Sequence, residues 1–217
     1  MTTGAPQRRT LQAIFLCLAA TILFTAADLW TKNWAQAELS RQPVVEPHPT
    51  CERDERGYTQ MQRSRYGATV LIEGYLEFRY AENCGAAFGM LAEAPRWVRL
   101  GVFMSVGAFA VIALSFMFIS GTGGQLFAWS VPLIVSGALG NVIDRIRFGY
   151  VVDFIRFYIN DQSSFTILRG FEYPTFNVAD ITITVGVALL LLDALLYKGD
   201  VAQKSPSASA AASPSAQ

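Results

Sequence analysis

Four stretches of this 217-residue chain run at or near membrane-spanning length with almost no charge, which leaves few folds open. Leu11 to Ala27, Leu100 to Ser120 and Gln125 to Gly140 carry no charged residue, and Ile181 to Tyr197 carries Asp193 alone. A helix crosses the hydrocarbon core with about 20 apolar residues, and it does so because every backbone polar group is paired within the segment. Composition agrees: 52% of residues are hydrophobic, 16% are charged, and the mean hydropathy is +0.32. Ordinary soluble domains carry more charge than this. The expected fold is an all-α membrane protein, a four-transmembrane-helix bundle with spans at about 11–29, 98–120, 125–145 and 179–197.

Charge excludes several functions. The formal net charge is zero, so the chain presents no electrostatic footprint for nucleic acid. One histidine (His48) and three scattered cysteines (Cys17, Cys51, Cys84) do not make a zinc site, and no cofactor or metal is expected. Cys17 lies in an apolar run and reads as a small hydrophobe. Cys51 and Cys84 would pair if they faced an oxidising compartment.

The segments between spans have their own character. Residues 1–10 carry Arg8 and Arg9 ahead of the first run, a pattern that taken alone also fits a secretory signal peptide. Three further membrane-length runs favour a true span, with Trp30 and Trp34 as interfacial anchors. Glu38 to Arg65, rich in charge and with Pro43, Pro47 and Pro49, reads as a solvated loop. Leu76, Phe78 and Tyr80 then alternate with Tyr75, Glu77 and Arg79, a period-two strand pattern. This gives a small extracytoplasmic sheet within about 66–92, followed by a tight turn at Asn83-Cys84-Gly85-Ala86-Ala87-Phe88. The short GTGG turn at Gly121 to Gly124 forces the third span to return antiparallel. In that span Pro132 predicts a kink, and Ser136 with Gly140 a close-packing face. Residues 155–176 are expected along the interface, and residues 199–217, rich in Ala and Ser, as a disordered tail. Four spans place both termini on one side, and Arg8, Arg9, Lys198 and Lys204 favour the cytoplasm.

Candidate chemistry gathers at the other side. Asn141, Asp144 and Arg145 emerge from the third apolar run at i, i+3 and i+4, on one helix face. Gly149 offers a left-handed stop, after which Tyr150-Val151-Val152 runs extended into Asp153. A second carboxylate, Asp180, follows Asn177 at the head of the fourth run. Each has a structural reading: Asp180 as a first-turn acid answering the helix dipole, Asp28 and Lys32 as an i, i+4 pair, Asp144-Arg145 as an ion pair. Asp193, near the far end of its run, reads as structural. Taken together, Asp153 and Asp180 supply what amide hydrolysis needs: one carboxylate to activate water and one carboxylic acid to give up a proton. Repulsion between two close carboxylates keeps one proton on the pair near neutral pH. No serine stands in a nucleophile elbow, and His48 in its Pro-rich loop is a poor base.

These residues resemble the lipoprotein signal peptidase family (signal peptidase II). The likeness is carried by NCGAAF at Asn83 to Phe88, GNVIDR around Asn141 to Arg145, VVDF at Val151 to Phe154, and FNVAD at Phe176 to Asp180. DLWTK at Asp28 to Lys32 is similar to the family's first-helix signature, and the likeness covers roughly residues 10 to 198. It implies an aspartyl endopeptidase of the bacterial inner membrane, active at the periplasmic face. Its substrates would be prolipoproteins, cut just before a cysteine carrying diacylglycerol, with membrane lipid as the surrounding partner. Asp153 and Asp180 would then be the catalytic dyad. Asn83, Asn141, Arg145 and Asn177 would orient the dyad and the substrate backbone. Asp28, Lys32 and Asp144 would support the site, and Gly85, Ala86 and Ala87 would admit the substrate backbone. The family's fold adds a β-cradle and an amphipathic segment to the four helices. The charged insertion at about 40–65 and the Ala/Ser tail depart from the pattern. A small ion- or proton-coupled transporter is the rival, and it calls for acids spread through the bilayer depth rather than gathered at one face.

Overall fold

α3 (Gln125–Phe148) is the helix around which the others gather: half of its most apolar stretch is buried. The matching stretches of α1 (Leu11–Leu39), α2 (Arg96–Ile119) and α4 (Val178–Gln203) are 6%, 6% and 22% buried. Those three helices turn Phe15, Ile22, Phe109, Ile112, Phe116 and Leu195 outward, each more than half exposed. A belt of this kind is tolerable against lipid and not against water. The computed structural model describes residues 8–44, 62–63, 66–84, 95–160 and 170–203, with backbone alone for Gln62, Arg63, Arg96, Arg99 and residues 197–203. Gly85, Ala86, Ala87, His48, Cys51, most of the charged insertion and the tail beyond Gln203 lie outside the described residues.

Small residues bring α3 and α4 together. A Cβ at Gly137 would collide with the Ala179 carbonyl oxygen and stand 2.6 Å from Ile183 Cγ1 and Thr182 Oγ1. Gly186 meets Ile134 Cγ1 in the same way, at 2.6 Å. The expected small face is therefore present but shifted to Gly137. Gly140 instead makes room for the Asp28 carboxylate, and the Ser136 hydroxyl is turned back onto the Leu133 carbonyl at 2.9 Å. α3 remains one helix through Pro132 and ends at Gly149, whose φ of 82° is the left-handed stop that a residue with a Cβ resists.

Two helix starts are capped from elsewhere in the chain. α1 is capped locally, the Ala13 N–H donating to Thr10 Oγ1. α3 begins after Gly124, which has no side chain to offer, and Asp193 of α4 accepts the N–H groups of Gly124 (2.9 Å) and Phe127 (3.1 Å). Beside this cap the Arg9 guanidinium donates to the carbonyls of Thr122, Gly123 and Gly124. At α4 the Ala179 N–H donates to Asp28 of α1 at 2.8 Å. Burying orphan backbone groups demands such partners.

Four antiparallel strands form the sheet, with β3 (Leu76–Asn83) as its hub. β1 (Gln62–Arg63) pairs with its end, β2 (Thr69–Ile72) with its start, and β4 (Val151–Phe157) along its length. Opposite residues include Leu76 and Phe157, Ala81 and Asp153, and Asn83 and Val151, with an irregularity between Phe78 and Ala81. The strand read at Leu76 to Tyr80 is present as β3, and in it Glu77 and Glu82 are buried. Glu77 is compensated by Arg156 of β4, whose Nη1 donates to Oε1 at 2.7 Å, while Nε donates to Glu172 at 2.8 Å. That hydrogen bond from Arg156 holds the Glu172 carboxyl below its usual range. Burial, then the hydrogen bond with Tyr150, pushes the Tyr80 phenol far above its usual range, so it stays neutral.

Two expected boundaries move. α1 continues ten residues beyond 29, because Ala35 and Leu39 pack against Tyr80, Val152 and Phe154 of the sheet. Trp34 stands edge-on to Phe78 and Phe154 at ring distances of 5.4 and 6.2 Å, so it is a packing wedge rather than an interfacial anchor; Trp30 is 70% exposed. The segment expected at 155–176 is partly sheet. β4 reaches Phe157, and bridges join Ile155 to Phe176 and Tyr158 to Glu172; residues 161–169 lie outside the described residues. Cys17 is a free thiol and Cys84 is disulfide-bonded.

Candidate active site

Asn177 joins the two carboxylates. Its side-chain amide donates to Asp153 Oδ1 at 2.7 Å, and its backbone N–H to Asp180 Oδ2 at 3.2 Å. In return Asn177 Oδ1 accepts the Asp180 N–H at 3.0 Å. This is a reciprocal cap, the residue before the helix and the third residue in it each satisfying the other's orphan group. The structural reading of Asp180 as a first-turn acid is thus correct and incomplete. The same carboxylate also accepts from Asn141 Nδ2 of α3 at 2.9 Å through Oδ1.

Asp153 is reached from the other side by β3. The register that sets Ala81 opposite Asp153 puts Asn83 two pairs along, opposite Val151, and Asn83 Nδ2 donates to Asp153 Oδ2 at 2.9 Å. Asp153 is fully buried, whereas Asp180 is half-buried. Both carboxylates are therefore held by side-chain amide donors.

Beneath the pair lies a buried charge cluster. Lys32 Nζ stands 2.8 Å from Asp28 Oδ2, 3.2 Å from Asp144 Oδ2 and 2.9 Å from Asn141 Oδ1. All three charged side chains are no more than 2% exposed. The contact with Asp28 Oδ2 is an ion pair off the hydrogen-bonding direction, since that oxygen has no hydrogen-bond donor; Asp144 Oδ1 has none either. Asp144 accepts the Val152 N–H at 3.1 Å, which pins the strand one residue before Asp153. Asp28 and Lys32 are thus more than a helix-end pair, since Lys32 also pairs with Asp144. By donating to Asn141 Oδ1, Lys32 sets which way that amide points, and so aims its Nδ2 at Asp180.

Arg145 donates to its own helix at the Asn141 carbonyl (3.1 Å) and lies near enough to Asp153 and Asp180 to add positive potential. Its guanidinium sits 4.7 Å from the ring centroid of Phe103 on α2, a cation–π contact. Phe103 is a residue that sequence reasoning misses, for it is one aromatic within an uncharged run. Of the candidate residues, Asp28, Lys32, Asn83, Asn141, Asp144, Arg145, Asp153, Asn177 and Asp180 meet at one end of the bundle. Gly85, Ala86 and Ala87 lie outside the described residues. Among the described residues no group of three or more His, Cys, Asp or Glu side chains is placed to hold a metal ion.

Helices of membrane length with a polar cluster sunk into one end place this chain among multi-pass membrane enzymes. A profile of the signal peptidase (SPase) II family matches residues 20–196. The chain belongs to that family. It is 42% identical over 133 residues to the lipoprotein signal peptidase of Cupriavidus necator, covering 60% of this chain and 69% of that one. To its counterpart from Ralstonia nicotianae it is 41% identical over 130 residues, with the same coverages. In three dimensions it is similar to a bacterial membrane enzyme solved by the in meso method, with a TM-score of 0.59, 25% identity, and 92% and 96% of the two chains covered.

Proposed function

We propose that the chain is an intramembrane aspartyl endopeptidase that removes the signal peptide of prolipoproteins, cutting before a diacylglyceryl-modified cysteine. The observation that carries the reading is the tethering of Asp153 and Asp180 by Asn177. One carboxylate takes a proton from water as that water's oxygen bonds to the scissile carbonyl carbon, while the other, as the acid, gives its proton to the carbonyl oxygen. The resulting gem-diol collapses: a proton passes to the leaving nitrogen, the C–N bond breaks, and the pair returns to its shared single proton. The pair titrates as a unit, so neither role is fixed to one residue. Asn83, Asn141 and Asn177 orient the carboxylates, and Arg145 lends positive potential where negative charge develops on the substrate oxygen.

An ion path is not favoured. The acids gather at one end, and Asp193 at the other is occupied in capping α3. Arg8, Arg9, Lys198 and Lys204 favour the cytoplasm for both termini, and with that orientation the carboxylate pair stands at the periplasmic face of a bacterial inner membrane. The test is signal-peptide release from a diacylglyceryl-modified precursor by purified protein. Asp153→Asn and Asp180→Asn should each lose at least about a hundredfold in rate while remaining folded. Near-normal turnover by either variant refutes the assignment.

A further inference from the structure

Of the three asparagines that hold the carboxylates, Asn141 is carried within α3 and Asn177 caps α4, whereas Asn83 is the last residue of β3. Its partners, Val151 of β4 and Gln62 of β1, are where both ladders end among the described residues. Strand termini fray at little cost, so a side chain mounted there holds Asp153 only as firmly as the backbone behind it.

Two ties close this end of the strand. Cys84, next in the chain and 7% exposed, is disulfide-bonded. The chain has three cysteines and Cys17 is a free thiol, which leaves Cys51 as the partner. Cys51 belongs to the charged insertion at about 40–65, and so does β1, whose Gln62 pairs with Asn83.

We infer that the insertion braces the site: a Cys51–Cys84 disulfide makes Cys84 a positioning residue that holds Asn83 against Asp153, and full activity requires the bond. The inference rests on the proposed cleavage reaction and adds what fixes one of its donors. The Asn83 amide donates to Asp153 Oδ2 at 2.9 Å, and a bond to a carboxylate weakens steeply once its donor swings out of line. The insertion offers little else to hold that end. Residues 51–56 read CERDER, with no apolar face to dock, and β1 is only two residues long. The disulfide closes a loop of more than thirty residues, so without it two strand pairs must oppose the freedom of the whole insertion. Bond formation balances as thiol–disulfide exchange: Cys51 and Cys84 give up two protons and two electrons, and a disulfide of an oxidising compartment takes them up as two thiols. Such a compartment is the side on which the carboxylate pair is proposed to stand.

The experiment counts thiols and then measures cleavage, both on the full-length protein. Cells are denatured directly in N-ethylmaleimide and the labels located by mass spectrometry. A single label, on Cys17, is expected, and labels on all three cysteines after reduction by a phosphine; any other pattern overturns the pairing. Oxidised protein in detergent is then assayed with the diacylglyceryl-modified precursor before and after the phosphine, well below both melting points. Reduction should lower kcat about tenfold with KM little changed, the scale set by a weakened hydrogen bond to a charged group. Cys84→Ser and Cys51→Ser should each start at the reduced rate and ignore the phosphine. Because the disulfide acts through Asn83, the phosphine should change the single-turnover rate of Asn83→Ala by less than about twofold. Equal kcat for oxidised and reduced wild type overturns the inference, even where reduction lowers the melting point. An equal loss on reduction in Asn83→Ala overturns it too, since the bond would then stabilise the fold and not the amide. Absence of cleavage by oxidised wild type would instead overturn the proposed function, so the two failures are distinguishable.

Discussion

Replacing Lys32 with methionine would leave two buried carboxylates facing each other with no ammonium between them. Asp28 and Asp144 are each 1% exposed, and the Lys32 Nζ stands within 3.2 Å of both. Removing one partner of a buried ion pair costs about 3–5 kcal/mol, because the charge left behind has neither water nor counter-ion. Against a total stability of about 5–15 kcal/mol, that is a large share, and it lowers the folded-to-unfolded ratio by roughly a hundred- to a few-thousandfold. Activity should fall further than stability explains. Asn141 Oδ1 also loses the shorter of its two donors and keeps only the Asn177 amide at 3.2 Å, so the amide that holds Asp180 is less firmly oriented. The assay is thermal melting and precursor cleavage of Lys32→Met in detergent, beside the double variant Lys32→Met/Asp144→Asn. Neutralising Asp144 removes one of the two orphaned charges, so the double variant should recover a good part of the stability and little of the activity. If Lys32→Met melts and cleaves like wild type, the cluster is not what supports the site.

Phe103→Leu should release the Arg145 guanidinium and lower kcat with KM little changed, while Phe103→Trp should retain activity; such contacts are worth about 0.5–2 kcal/mol. Steady-state rates of the two variants decide it, and equal loss in both would make the ring a packing element alone. Gly137→Ala should destabilise the bundle by about 1–3 kcal/mol, because the new methyl meets the Ala179 carbonyl, and melting of the variant measures it. Glu172 has a carboxyl pKa lowered by folding, so its contribution is present above its unfolded pKa of about 4.3 and is lost as pH falls through the folded value. Melting points taken downward from neutral pH should therefore drop less for Glu172→Gln than for wild type. An identical acid limb would remove Glu172 from the account.

The spans were legible because length and lack of charge are properties of the sequence itself. What tertiary packing decides was not. Nothing local says that α1 should continue through Trp34 and Leu39; the sheet it packs against lies more than thirty residues further on. Nothing local pairs Glu77 with Arg156, and Glu77 is buried because a partly buried Arg156 on the neighbouring strand satisfies it. The site was more legible than the sheet. Asn141, Asp144, Arg145, Asn177 and Asp180 stand out as polar groups at the ends of apolar runs, where charge has to be explained. Asp28 gave less away: its contact with the Ala179 N–H spans 151 positions, and from sequence an i, i+4 pair with Lys32 accounted for it. Phe103 gave no signal, since its role depends on which aromatic of α2 happens to lie under a guanidinium.

The borrowed caps bear on how the chain is made. α3 leaves the ribosome before Asp193 has been synthesised, so its first N–H groups enter the bilayer boundary without the acceptor they will finally use. α4, by contrast, arrives to find Asp28 already in place from the first helix. Docking of the last helix therefore closes both accounts at once, completing α3 at one membrane surface and starting its own first turn at the other. That first turn contains Asp180. A chain stalled after three helices would thus carry neither a finished bundle nor the second carboxylate, and by the proposed mechanism it would stay inert until its final span had been inserted.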